Sequence, residues 1–77
     1  NSVGHDVTAK DYLSLMPGAT VSGNCKLGEC VYIGSNATIK EKIQICDNVT
    51  IGLNAGVTKN INQAGVFIGT PAQKMIT

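Results

Sequence analysis

Seventy-seven residues carry six Lys, no Arg, five Asp or Glu and one His, a formal charge of +1, with 43% hydrophobic and 14% charged residues. A chain this close to neutral lacks the basic footprint of a nucleic-acid binder, and no apolar run nears the roughly 18 residues of a membrane span. One Phe, two Tyr and no Trp leave only an aliphatic core, and a lone domain of this size buries about 60 to 65% of its unfolded surface, so extra support is expected.

Read in chain order, the sequence is a repeat. Hexads starting at Val3, Ala9, Leu15, Val21, Leu27, Ile33, Ile39, Ile45, Ile51 and Val57 follow one another without an insertion. Their fifth positions are Val7, Leu13, Ala19, Cys25, Val31, Ala37, Ile43, Val49, Ala55 and Ile61, so both positions are apolar throughout. Chance would produce this on the order of once in ten million, and periodicity therefore outweighs local propensity.

The fourth positions run Asp6, Tyr12, Gly18, Asn24, Cys30, Asn36, Lys42, Asn48, Asn54 and Asn60. Asn, Asp and Gly dominate them, the residues that best tolerate positive φ, which predicts one left-handed bend per hexad. Gly4, Gly28, Gly34 and Gly52 at the second position suit a tight corner, and Thr8, Thr20, Thr38 and Thr50 at the sixth suit short strands. A six-residue period does not fit the 3.6-residue turn of a helix. Short strands joined by recurrent corners satisfy their backbone only by coiling, each strand pairing in parallel with the strand one turn later. Cys25, Cys30 and Cys46 are odd in number, lack C-x-x-C spacing and are accompanied by only one His. No metal site is expected, and free thiols suit a reducing, cytoplasmic setting.

The hexads resemble those of the hexapeptide-repeat acyltransferases, whose left-handed parallel β-helix is triangular, with three hexads per coil. That resemblance implies an all-β fold of about three coils over 3–62, followed by a short capping tail over 63–77. The tail Val66-Phe67-Ile68-Gly69-Thr70-Pro71-Ala72-Gln73-Lys74-Met75 resembles the V-x-x-G-x-P-A-x-x-[IM] ending of the acetyl-coenzyme A branch. The stretch Ile51-Gly52-Leu53-Asn54-Ala55-Gly56-Val57-Thr58-Lys59-Asn60-Ile61 is similar to its last coil, I-G-A-G-A-x-V-T-K-D-I. With 18 residues per coil, His5, Gly23, Glu41 and Lys59 should stack in one file along a corner.

His5-Asp6 stands where the sialic acid O-acetyltransferase and amino-sugar N-acetyltransferase group carries an H-[DE] pair near the start of the β-helix. The resemblance implies that His5 is the general base toward a sugar hydroxyl or amine and that Asp6 orients the imidazole. The Gly23 N–H would polarise the thioester carbonyl for direct attack without an acyl-enzyme. It implies acetyl-CoA as donor, a sugar or nucleotide sugar as acceptor, and a homotrimer with the coenzyme between two subunits, against Ser14, Ser35, Leu53 and Lys59. Leu53 replaces the more usual Gly or Ala, and Ser14 a second His found in some relatives. Family members have about 200 residues with a preceding βαβ domain, so a chain that opens on Asn1 in hexad phase is expected to be the C-terminal part of such an enzyme. The competing reading is a non-catalytic β-helix that serves as a structural or trimerisation module.

Overall fold

The computed structural model describes residues 2–75, and among these there are strands and turns but no helix, hence none long and apolar enough to cross a membrane. Through Val57, each strand joins the sixth residue of one hexad, facing outward, to the first residue of the next, facing inward, as the period of two in an extended chain requires. Three flat faces result. The first stacks β1 (Ser2–Val3), β4 (Thr20–Val21), β7 (Thr38–Ile39) and β10 (Gly56–Val57). The second stacks β2 (Thr8–Ala9), β5 (Lys26–Leu27) and β8 (Gln44–Ile45), and the third stacks β3 (Ser14–Leu15), β6 (Tyr32–Ile33), β9 (Val49–Ile51) and β11 (Gly65–Ile68). All of these pairs are parallel, Ser2 opposite Thr20, Lys26 opposite Gln44, Ser14 opposite Tyr32. The chain is a left-handed parallel β-helix of about four turns, one rung longer than the hexad count suggests.

Nine of the ten fourth positions take the left-handed conformation, with φ between 56° and 80°. Tyr12, Cys30 and Lys42 do so at 66°, 56° and 62° although their side chains gain nothing there, so the repeat imposes the bend on residues that resist it. Lys42 is exposed and sits in a central coil. Lys42→Asn is therefore expected to raise unfolding free energy in urea by about 0.5 to 1 kcal/mol, because Asn visits this region at lower cost; an unchanged midpoint would mean that the bend is unstrained.

The core is a column of aliphatic side chains, with Val21, Ile33, Ile39, Val49, Ile51 and Val57 all essentially inaccessible. Cys25 is buried in this column, as its inward phase predicts. The first and fifth positions are apolar throughout, yet in the first coil most of them are not fully buried. There Val3 is 54% exposed, Ala9 is exposed, and Val7, Leu13 and Leu15 are half-buried, because among the described residues these side chains have a rung on one side only.

The last coil departs from the 18-residue repeat. Ile61 pairs with Ile45, and Gly65, Val66 and Phe67 pair with Val49, Thr50 and Ile51, all sixteen residues apart. Asn60 is the fourth position without a left-handed bend, so this corner is cut two residues short. The missing backbone acceptor is replaced by a side chain: the Gln44 N–H donates to Asn60 Oδ1 at 2.9 Å, while the Ile61 N–H donates to the Gln44 carbonyl at 2.9 Å. Phe67 then closes the column over Ile51. Beyond it, β12 (Gln73–Lys74) turns back antiparallel on β11. The Gly56 N–H donates to the Gly69 carbonyl and the Ala72 N–H to the Gly56 carbonyl, so the tail covers the outer edge of β10, an edge otherwise open to another strand.

Candidate functional site

The three corners differ. At the corner between the third and first faces, the fifth residue of each hexad is Ala, and its N–H closes a turn on the second residue: Ala19 to Met16, Ala37 to Gly34, Ala55 to Gly52. A small buried side chain lets that corner tighten. At the corner between the first and second faces the fifth residues are Val7, Cys25 and Ile43, and among the described residues no such turn bond forms. The Lys40 carbonyl, left without that N–H, accepts a hydrogen bond from the Cys25 thiol of the preceding coil at 3.1 Å.

This wider corner carries the lone imidazole. The His5 carbonyl accepts the Asn24 N–H at 2.8 Å, and the Gly23 carbonyl accepts the Lys42 N–H at 2.9 Å, so His5, Gly23 and Glu41 stack as a file. A Cβ built on Gly23 would lie 3.3 Å from the His5 carbonyl oxygen. The Gly23 N–H meets no acceptor among the described residues. By contrast, the third-position N–H of Glu29 at the next corner is taken by Asp47 Oδ1 at 2.7 Å. The amide beside His5 is thus an available donor on a partly accessible glycine, and His5 itself is exposed.

Lys59 leaves the file. The shortened coil forms no backbone bond from Asn60 to Glu41 among the described residues, and Lys59 instead rims an open groove of about 640 Å³ with Gly23, Lys40, Glu41, Lys42 and Asn60. Asp6 is exposed, occupies the left-handed corner position at φ 59°, and forms no hydrogen bond with His5 among the described residues. Ser35 and Leu53 are one coil apart at the corner between the third and first faces, the Asn54 N–H donating to the Ser35 carbonyl at 2.8 Å. Ser14 lies on β3 of the third face, opposite Tyr32. The seven residues singled out by resemblance therefore fall on two corners and one face. His5, Asp6, Gly23 and Lys59 share a corner, and Ser14, Ser35 and Leu53 lie elsewhere.

Three features of this corner escaped the reading of the sequence. The Cys25 thiol bond was hidden because a Cys in a hydrophobic phase reads only as core. The groove lysines Lys40 and Lys42 carry no motif of their own. Asn60 reads as one more corner Asn, and the signal of its different role is Gln63, a polar residue where the repeat calls for the next inward aliphatic.

Fold and corner geometry together define a left-handed β-helix of the hexapeptide-repeat type. The chain is similar to the acetyltransferase domain of PglB from Neisseria gonorrhoeae FA1090, solved in complex with acetyl coenzyme A: 30% identity and a TM-score of 0.88, covering 92% of this chain and 35% of that one. It is similar to WeeI from Acinetobacter baumannii AYE at 33% identity and a TM-score of 0.87, covering 94% of this chain and 37% of that one. In sequence it is 30% identical over 70 residues to a probable UDP-3-O-acylglucosamine N-acyltransferase 2, mitochondrial, of Arabidopsis thaliana, spanning 91% of this chain but 23% of that protein. The chain thus spans about a fifth of the length of the curated relatives it matches. No family model matches it.

Proposed function

We propose that this chain is the acyl-transfer part of an acetyl-CoA-dependent acetyltransferase that acts on a hydroxyl or amine of a sugar or nucleotide sugar. The observation that carries the reading is the stacking of His5 against Gly23, whose N–H is unclaimed among the described residues, on a fold shared with a domain solved with acetyl coenzyme A. In the reaction, the His5 imidazole accepts the acceptor's proton as its oxygen or nitrogen attacks the thioester carbon. The Gly23 N–H donates to the carbonyl oxygen as negative charge develops on it, and coenzyme A leaves as the thiolate. Asp6, adjacent in the chain, would orient the imidazole.

The division of the remaining residues between a corner and a face fits a coenzyme lying between copies. Ser14, Ser35 and Leu53 of one copy would line the groove that His5 of a second copy faces, which favours a homotrimer in which each copy contributes the same corner. Lys59 would then meet a phosphate at the groove rim. The chemistry as written needs no metal, and the free thiols Cys25, Cys30 and Cys46 fit the cytoplasm, where acetyl-CoA is available.

The test is isothermal titration of the 77-residue chain with acetyl-CoA, followed by thiol-release assays against a panel of amino sugars and nucleotide-linked sugars. Saturable binding with a dissociation constant in the micromolar to millimolar range, and thiol release that depends on acceptor, are expected. A chain that binds no coenzyme at millimolar concentration is a structural module instead.

A further inference from the structure

The first coil packs closely on the second at Gly4. A Cβ there would stand 2.5 Å from the Gly23 nitrogen, 2.9 Å from the Gly23 Cα and 2.9 Å from the Ser22 carbonyl carbon. These are the atoms of the peptide that carries the Gly23 N–H, which meets no acceptor among the described residues. The next coils do without a glycine here, since Ser22 and Lys40 hold the same second position at this corner. Gly4 is half-buried and sits in the coil whose inward residues are the most exposed, where core packing makes the smallest demand.

We infer that Gly4 is a positioning residue, whose missing side chain sets the height of the Gly23 N–H relative to His5 on the adjoining residue. The inference rests on the acetyl-transfer reading above. A methyl group at Gly4 must move the Ser22–Gly23 peptide by roughly 1 Å to reach an ordinary contact, and a displacement of that size at a transition-state donor costs on the order of 100-fold in rate. His5 keeps its own backbone bond to Asn24, so proton acceptance is preserved while the donor is misplaced.

Gly28 supplies the control. A Cβ on it would meet Asp47, with the Asp47 nitrogen at 2.7 Å, the same kind of clash at the corner between the second and third faces, away from His5. Gly4→Ala and Gly28→Ala are compared in the full chain by acetyl-transfer kinetics, by thermal melting and by the amide resonance of Gly23 in 15N-labelled protein.

Gly4→Ala is expected to lower kcat by roughly 10- to 100-fold with little change in KM for acetyl-CoA, to keep the wild-type pH–rate profile, and to shift the Gly23 resonance. Gly28→Ala is expected to lose comparable thermal stability while keeping kcat within about twofold and the Gly23 resonance in place. Equal kcat losses in both variants, or a Gly4→Ala chain that is unfolded where Gly28→Ala is folded, make Gly4 a folding residue and overturn the inference. If the wild-type chain turns over no acetyl-CoA, the functional reading has failed. The resonance then judges the geometry alone, and an unmoved Gly23 amide in Gly4→Ala sinks that as well.

Discussion

His5→Ala is expected to lower kcat/KM for acetyl transfer by about 100- to 10,000-fold, the range of a positioned general base, while leaving coenzyme binding and melting temperature close to wild type. The separation of effects follows from how His5 is held. Its backbone carbonyl carries the rung bond to the Asn24 N–H, and alanine preserves that bond. Its side chain is exposed and supports no core, and substitutions of that kind usually stay within about 0.5 kcal/mol. Gly23→Ala makes the complementary case, because its methyl would lie 3.3 Å from the His5 carbonyl oxygen, a contact tight enough to demand a shift of a few tenths of an ångström beside the donor amide while the imidazole is kept. Steady-state thiol release and titration calorimetry on the same preparations read both quantities. A His5→Ala chain with wild-type turnover would remove the base from the mechanism, and loss of coenzyme binding in step with turnover would make His5 a binding residue.

How far the sequence foretells this corner can be traced in the repeat. Inward phase and left-handed bends follow from a hexad that repeats without a break to Val57, whereas the stacking of Gly23 on His5 needs in addition the three hexads per coil that the family resemblance implies. The two-residue slip in the last coil does not follow from it, for a reason that lies in the strand itself. Side chains alternate with a period of two, so moving Ile61 and Phe67 by two residues leaves both facing inward. An apolar pattern is blind to such a slip. Only Gln63 and the side-chain acceptor of Asn60, which takes the Gln44 N–H, distinguish the two registers. The slip matters for the site because it removes Lys59 from the file and leaves the Glu41–Lys42 corner beside an open groove. The Cys25 bond to Lys40 is invisible for a related reason: it depends on a turn that fails to close, and turn closure depends on whether Ala or a larger residue stands at the fifth position of that corner.

Ile39→Ala is expected to cost about 2 to 5 kcal/mol, the range for truncating a fully packed aliphatic side chain. Ile39 is inaccessible and stands in the middle of the first face, between Val21 below and Val57 above, with no loop that could collapse into the void. A domain of this length has a total stability of roughly 4 to 12 kcal/mol, so one truncation removes a large share of it. The same substitution at the same phase is expected to matter far less in the first coil. Val3→Ala, at a residue 54% exposed, should cost below about 1 kcal/mol. Half-buried Leu15 should fall between the two. The gradient is the informative quantity, because a β-helix couples each rung only to its neighbours, so the penalty for a cavity tracks how many neighbours enclose it. Urea unfolding of the three variants measures it directly. Equal penalties at Val3 and Ile39 would mean that in solution something covers the first coil as completely as the third covers the second.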